Sequence, residues 1–198
     1  AGRPARRNRM IRKMRVTAVA AGVCTFALAS PLAGQRAAVH DGFWISAGLG
    51  GGLAFGDEEY ESDSKSGYAF QLRLGGTPSQ QLLLGGELIG WGAEEASTYV
   101  WRGAAMFTAL YYPSRRGGLY LKGSAGFAGR SVDREIPIGD DSATLTQETG
   151  GIGLGAGIGY DIQLGRNFFL TPAVDFVYTG TEGDGATLLL FTVGATWH

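Results

Sequence analysis

The segment GGIGLGAGIGYDIQL, residues 150–164, alternates strictly between two kinds of residue. Apolar side chains occupy every second position from Ile152 to Ile162, and glycine or a polar residue stands at each position between them. Successive side chains of a β-strand point to opposite faces, so the segment predicts a strand with one apolar face and one bare or polar face. A helix, with its period of 3.6 residues, cannot sort these residues. The apolar face needs a cover, which is either protein or lipid.

The same alternation continues outward from this segment in both directions. It predicts about eight strands of roughly 10 to 13 residues, the length that a tilted strand needs to cross a bilayer. Acidic connections alternate with short turns, and we expect a local bulge at Pro172, where a proline gives up one ladder hydrogen bond. The predicted acidic connections are Gly56–Ser66, Gly92–Ser97, Ser131–Gln147 and Gly180–Gly185, of which the third is the longest.

Charge is distributed unevenly along the chain. Residues 1–35 hold seven of the 17 basic residues and none of the 18 acidic ones, which leaves 10 basic and 18 acidic residues and a charge of −8. Fourteen of the acidic residues lie in or beside the four acidic connections. One end of the predicted sheet is therefore acidic and the other weakly basic, and the balance excludes a nucleic-acid-binding protein.

The N-terminal residues differ in composition from the rest. Seven basic residues precede an apolar run from Val16 to Leu32, and small residues follow it. This order is typical of a secretory signal peptide, so we predict a signal peptide over residues 1–35, with residues 1–9 as an upstream extension, and a barrel domain over 36–198. The alternative is an uncleaved anchor, for which the run is short. The single cysteine, Cys24, lies inside the run, so no thiol chemistry is expected after cleavage.

The second parity of the strands, meaning the positions between the apolar residues, decides whether protein or lipid covers the apolar face. In a soluble barrel or sandwich this parity would face water and would be rich in charged residues, whereas here it is mostly Gly, Ala and Ser. Strands can enter hydrocarbon only as a closed ring without edges. We therefore predict an all-β, closed antiparallel up-and-down transmembrane barrel with an apolar, lipid-facing exterior, aromatic residues near the strand ends, and a narrow plugged lumen filled by small residues.

From Asp41 to His198 the chain resembles the small eight-stranded outer-membrane barrels of the OmpA and OmpX type, which include the Ail-like and opacity proteins. The resemblance depends on the alternation, the connections and the last strand. Members of this superfamily usually end in an aromatic residue, while this chain continues to His198. The resemblance implies an assembly signal for the barrel-assembly machinery in the alternate residues of that strand, namely Leu189, Phe191, Val193, Ala195 and Trp197.

A few charged residues fall on the parity that faces the lumen. If the hairpin between them is symmetric about residues 94 and 95, Glu87 and Arg102 lie directly opposite each other. Asp175 is expected to face Gly157, which leaves room for its side chain. A charge inside a narrow lumen is tolerated when it is paired, so we predict a structural ion-pair network, with a gate or a proton-sensitive plug as the alternative. The predicted network consists of Glu87, Arg102, Arg73, Lys122 and Asp175.

Other motifs do not support an enzyme or a cofactor site. Residues 151–156 match G-x-G-x-x-A, but a dinucleotide site needs a helix directly after the glycines, which the alternation excludes. Small barrel enzymes typically rely on a histidine beside Ser or Asp, whereas the two histidines here, His40 and His198, lie before the first predicted strand and at the last residue. The acidic connections lack an EF-hand spacing, so we expect no specific Ca²⁺ site.

These observations predict a monomeric outer-membrane protein without catalytic activity, cofactor or metal. The resemblance implies a structural or surface-interacting role, such as envelope integrity or adhesion. The expected partners are outer-membrane lipids, lipopolysaccharide, the barrel-assembly machinery and an extracellular partner of the acidic connections. A narrow pore or a carrier of hydrophobic molecules is the alternative, and a lipid-modifying enzyme is the third.

Overall fold

The computed structural model describes residues 42–56, 64–95, 98–115, 117–138, 141–181 and 184–198, and all regular structure in them is β-strand. The predicted signal peptide and its upstream extension lie outside these residues. The described residues contain no helix long and apolar enough to cross a membrane. The strands are β1 (Phe43–Phe55), β2 (Lys65–Ser79), β3 (Leu82–Glu95), β4 (Thr98–Tyr111), β5 (Leu119–Ile138), β6 (Asp141–Tyr160), β7 (Ile162–Gln163), β8 (Phe168–Thr181) and β9 (Asp184–Trp197).

The strands form one closed antiparallel ring. Consecutive strands from β1 to β6 pair with each other, β8 pairs with both β6 and β9, and β1 pairs with β9 to close the sheet. The short β7 continues the line of β6 after a single residue, so the wall consists of eight strands. The predicted eight-stranded up-and-down barrel is confirmed. Because the ring is closed, every wall strand pairs with a neighbour on each side, although β6 pairs with β8 only from Gly151 to Gly159.

The barrel is apolar outside, as predicted. Phe107 is 62% exposed and Leu154 is 51% exposed, whereas Glu87 and Arg102 on the other parity are 2% and 0% exposed. The exterior includes aromatic residues near both ends, among them Tyr68 and Tyr178 at one end and Tyr111 and Trp197 at the other. A closed ring with such an exterior is suited to a lipid bilayer and not to water.

Three of the four acidic connections are shorter than the sequence suggests. Paired strands occupy most of the segments predicted as loops and leave only residues 96–97, 139–140 and 182–183 between them. β5 and β6 are 20 residues long and pair up to Ile138 and Asp141, so the predicted loop Ser131–Gln147 is a hairpin. Acidic residues are compatible with strands whose faces are solvated. We call this end of the barrel the loop end, and the opposite end, with the connections at 80–81, 112–118 and 164–167, the turn end.

Pro172 does not produce the predicted bulge. Gly159 pairs with Ala173 and Ile162 pairs with Leu170, so the register is the same before and after the proline. Instead the ladder is interrupted beside Pro172, between β6 and β7, because proline has no N–H to donate. The backbone N–H of Asp161 faces β5 and donates to the carbonyl of Gly118 at 2.9 Å, in register with the β5–β6 pairing, so the proline does not affect this group. Among the strand pairs of the described residues, a register shift occurs near the β2–β3 turn, between Gly76 and Ser79.

Candidate functional site

The most unusual feature of the lumen is a layer of buried charges, which we call the ionic layer: Arg73, Glu87, Lys122 and Asp175. Strand register brings these residues together. Arg73 on β2 is paired with Glu87 on β3. Lys122 on β5 and Asp175 on β8 are both paired with Gly157 of β6, from opposite sides. The alternation of the strands directs all four side chains into the lumen at one level.

Gly157 is the position that allows Lys122 and Asp175 to meet. As predicted, Asp175 faces this glycine, and a Cβ at that position would collide with Oδ1 of Asp175. A Cβ would also lie 3.0 Å from the carbonyl oxygen of Val174. The missing side chain therefore leaves the space through which the ammonium group of Lys122 reaches the carboxylate across the strand.

Each charge in the ionic layer contacts two opposite charges. Nε of Arg73 lies 2.8 Å from Oε1 of Glu87, and Nη2 lies 3.1 Å from Oδ2 of Asp175. Nζ of Lys122 lies 2.5 Å from Oε1 of Glu87 and 2.7 Å from Oδ1 of Asp175. The four groups form an alternating ring of two cations and two anions, with no net charge. Buried charges are stable only in such paired arrangements, and removal of one partner typically costs about 3–5 kcal/mol.

Two neutral residues hold the guanidinium group in place. Nη1 of Arg73 donates to the hydroxyl of Tyr120 at 3.0 Å, and Nη2 donates to the side-chain carbonyl of Gln71. The guanidinium carbon lies 5.9 Å from the centre of the Tyr120 ring. Both residues lie on the lumen parity, beside Lys122 and Arg73 respectively. Their parity places both in the lumen from the sequence alone, but neither carries a charge that would predict its part in an ion-pair network.

The ionic layer lies between two apolar clusters. The loop-side cluster includes Trp91, Val100, Val177, Leu188 and Leu190, all of them fully buried. The turn-side cluster consists of Trp44, Leu83, Leu110, Tyr112 and Tyr120. The prediction that small residues fill the lumen is therefore wrong in part. Large side chains fill it on both sides of the charges. Large and small residues alternate here because the strands also supply glycines that make room for the rings.

A second polar group lies at the turn end of the lumen. Asp161 accepts hydrogen bonds from the hydroxyls of Tyr112 at 2.7 Å and Thr171 at 2.6 Å. The hydroxyl of Thr171 lies 2.8 Å from that of Thr196, which donates to Ser46 at 2.8 Å. These five residues form a continuous chain of hydrogen bonds that runs from the end of β4 past the β6–β7 junction to β8, β9 and β1. Sequence analysis missed this group, although Asp161 follows Gly159 on the lumen parity of the segment that decides the fold.

The predicted contact between Glu87 and Arg102 is wrong. Glu87 is paired with Met106, and Arg102 is paired with Trp91, because β3 and β4 continue to Glu95 and Thr98 and the hairpin is centred on residues 96–97. Arg102 is buried in the lumen, as its parity predicts, but it lies four residues nearer the loop end than Met106, beside Arg130 of β5. It is not in the ionic layer, where Lys122 takes the place that we assigned to it.

The residues predicted as an assembly signal lie on the outer face of β9. Val193 and Trp197 are 56% and 53% exposed, and Leu189, Phe191 and Ala195 share their parity. His198 is buried at the turn end, where its carbonyl oxygen accepts a hydrogen bond of 2.6 Å from the Asn167 side chain and its ring contacts Phe169 edge-on. Among the residues whose structure is described, no group of three or more His, Cys, Asp or Glu could hold a metal ion.

The sequence and the fold are similar to those of known β-barrel proteins. The sequence matches the family described as Autotransporter beta-domain over residues 93–189. No curated protein matches it. The structure is similar to that of Neisserial surface protein A, with a TM-score of 0.59 and 16% identity over 79% of this chain and 97% of the other. It is also similar to Ail, the attachment invasion locus protein of Yersinia pestis, with a TM-score of 0.57 and 13% identity over 79% of this chain and 99% of the other.

Proposed function

The chain has the fold of the small eight-stranded outer-membrane β-barrels, and on this basis we propose that it is an integral outer-membrane protein with a structural or surface-interacting role. The observation that carries the proposal is the filled lumen. Arg73, Glu87, Lys122 and Asp175 close the middle of the barrel, and a cluster of large apolar side chains lies on each side of them. A barrel closed in this way presents its surfaces to other molecules and does not conduct between its ends.

The loop end supplies the surface for such contacts. Along the sequence, 14 of the 18 acidic residues lie in or beside the connections assigned to this end, and the β5–β6 hairpin extends beyond its neighbours there. Ail of Yersinia pestis has been crystallised with the heparin analogue sucrose octasulfate. A polyanion of that kind would be repelled by the acidic loop end of this chain. We therefore propose that its extracellular partner presents cationic groups.

The second candidate is a narrow pore. The observation that favours it is the ionic layer itself. The side chains of Arg73 and Lys122 each contact both carboxylates, so each can shift from one carboxylate to the other. Single-barrel conductance in planar bilayers distinguishes the two functions. We expect silence from the wild-type barrel and from Lys122→Met. Steady ion-selective steps in the wild type that disappear in Glu87→Ala would contradict the closed barrel and support the pore.

The membrane assignment has its own test. A closed barrel resists unfolding by detergent until it is heated, so the protein extracted from outer membranes should migrate differently before and after boiling. A water-soluble protein that does not shift would reject the proposal.

We further propose that the protein is a monomer without catalytic activity, and that the outer face of β9 is recognised by the barrel-assembly machinery.

A further inference from the structure

We propose that the turn end of the lumen contains a binding site for one proton, which Asp161 holds as a neutral carboxylic acid. Asp161 is 3% exposed and lies between β6 and β7. Its side chain belongs to the chain of hydrogen bonds that also includes Tyr112, Thr171, Thr196 and Ser46. This site is independent of the proposed surface role, because it lies inside the barrel and at the end opposite to the proposed contact surface.

The charge of an ionised Asp161 would have no salt-bridge partner in the described part of the chain. Arg73 lines the same small cavity as Asp161, but its guanidinium group forms its salt bridges with Glu87 and Asp175. With Lys122 these residues form the ionic layer, which is neutral without Asp161. An ionised carboxylate in a buried place is costly unless a cation pairs with it, and such a group commonly takes up a proton instead.

The hydroxyl hydrogens of this chain of bonds give an independent reason for a proton. Each hydroxyl has one hydrogen to donate, and Thr196 donates its hydrogen to Ser46. If Thr171 donates to an ionised Asp161, no hydrogen remains for the contact of 2.8 Å between the two threonine oxygens. All three contacts would then require Ser46 to donate to Thr196, which is the reverse of the direction found. With an ionised Asp161 the chain is therefore one hydrogen short.

A proton on Asp161 supplies the missing hydrogen. Oδ1 of Asp161 then donates to Thr171 across the contact of 2.6 Å, which reverses the direction that an ionised Asp161 requires. Thr171 donates to Thr196 in turn, and Thr196 keeps its bond to Ser46. Oδ2 of Asp161 remains the acceptor for the hydroxyl of Tyr112, at 2.7 Å. One oxygen is thus a donor and the other an acceptor, as in a neutral carboxyl group.

The shape of the site selects a proton and not a metal ion. The cavity beside Asp161 has room for about one particle of the size of water. Hard metal ions bind about six oxygen ligands at about 2.0–2.6 Å, whereas the oxygens here are hydrogen-bonded to one another. Asp161 is also the only carboxylate among the described residues that line the cavity. A metal ion would have to separate these hydrogen bonds, while a proton completes them.

The charged and titratable side chains around the cavity donate to Asp161 or have other partners. Tyr112, which follows β4, donates to Asp161, and Tyr120 of β5 accepts a hydrogen bond from Arg73 of β2. His198, which follows β9, is not among the lining residues, and its ring packs edge-on against an aromatic ring of β8. The remaining lining residues are uncharged, namely Trp44, Ser46, Leu83, Leu110, Thr171 and Thr196.

The test compares the pH dependence of stability in the wild type and in Asp161→Asn, with the full chain folded into lipid vesicles and unfolded with urea. Asparagine has the same shape, can donate to Thr171 and cannot ionise. The folded wild type holds a proton that the unfolded chain, with an ordinary aspartate, has released above about pH 5. Stability must therefore fall as the pH rises. Between about pH 5 and 7 we expect the unfolding equilibrium constant of the wild type to rise about tenfold per pH unit relative to that of Asp161→Asn.

Asp133→Asn is the matched control and should keep the wild-type pH dependence, because Asp133 also contacts a threonine hydroxyl but lies on the outer face. His198 is present in all three proteins, so its titration cancels. Infrared spectra of the wild type with carbon-13-labelled aspartate need no variant, and we expect the carbonyl band of a protonated aspartate at neutral pH. Equal pH dependence in the wild type and Asp161→Asn, or absence of that band, would overturn the inference. Stability that depends on sodium at constant ionic strength would also overturn it, in favour of a metal ion.

Discussion

The inner and outer faces of β6 differ in what they require of a side chain, although their residues alternate along one strand. On the outer face Ile152, Leu154 and Ile158 are about half exposed and meet only the bilayer. On the inner face Gly157 must remain small, because Lys122 and Asp175 meet across it. The outer face needs only apolar side chains, a requirement that many residues meet. The inner face needs side chains of a particular size and charge at each position. Substitutions should therefore be tolerated very differently on the two faces.

The largest difference is expected for the ionic layer. Glu87→Ala leaves Arg73 and Lys122 with one carboxylate in place of two, so the free energy of unfolding should fall by about 3–5 kcal/mol. Urea titration of the barrel in lipid vesicles measures this loss. Leu88→Ala, the next residue on the outer face, is the control and should cost less than about 1 kcal/mol, because lipid replaces the missing contacts. Equal effects of the two substitutions would refute the difference between the faces.

A charge on the outer face should have the next largest effect. Phe107 lies on β4 between Tyr99 and Tyr111, which mark the two ends of the strand, and it faces lipid. Phe107→Arg should destabilise the barrel by about 2–4 kcal/mol, as charged residues do near the middle of a bilayer. Phe107→Leu is the neutral control. If Phe107→Arg folded into vesicles as stably as the wild type, the face would not contact hydrocarbon.

Glycines on the two faces offer a comparison at constant chemistry. Gly157→Val places a Cβ against Asp175 and the carbonyl of Val174, and we expect a loss of about 1–3 kcal/mol from overpacking. Gly123→Val is the control, because a Cβ at Gly123 would meet nothing within 4 Å. The midpoint of urea unfolding for both variants checks the prediction. A smaller loss in Gly157→Val than in Gly123→Val would contradict the packing described around Asp175.

The smallest effect is expected where the wall itself is interrupted. Pro172→Val restores a backbone N–H on β8 without a change of register, so it should stabilise the barrel by at most about 1 kcal/mol. Amide hydrogen exchange of residue 172 reports whether the new N–H is protected. A shift of register in the variant, or a loss of stability, would show that the proline has a role beyond the missing donor.

The sequence determines which face a residue occupies, but it leaves its partner open. Alternation predicted the lumen position of both Glu87 and Arg102. Moving the centre of the hairpin by two residues keeps every face and changes every partner, and the acidic segment Gly92–Ser97 contains no turn signature that would have fixed the centre. The pairing of Asp175 with Gly157 was predictable because a short turn precedes β8. The hydrogen bonds of Asp161 involve residues from distant strands, which no local pattern connects.

One consequence concerns the length of the β5–β6 hairpin. In the described residues β8 accompanies β6 only from Gly151 onward, so ten residues, Asp141–Gly150, continue past that neighbour. On the other side β4 accompanies β5 up to Arg134, which pairs with Leu145, so only residues 135–138 and 141–144 stand beyond both neighbours. At about 3.3 Å per residue this free part of the hairpin measures about 13 Å along the strand. With the loop end facing outward, as we propose, an approaching macromolecule touches this ribbon before it reaches the rest of the rim, so the height of the ribbon sets the distance of first contact.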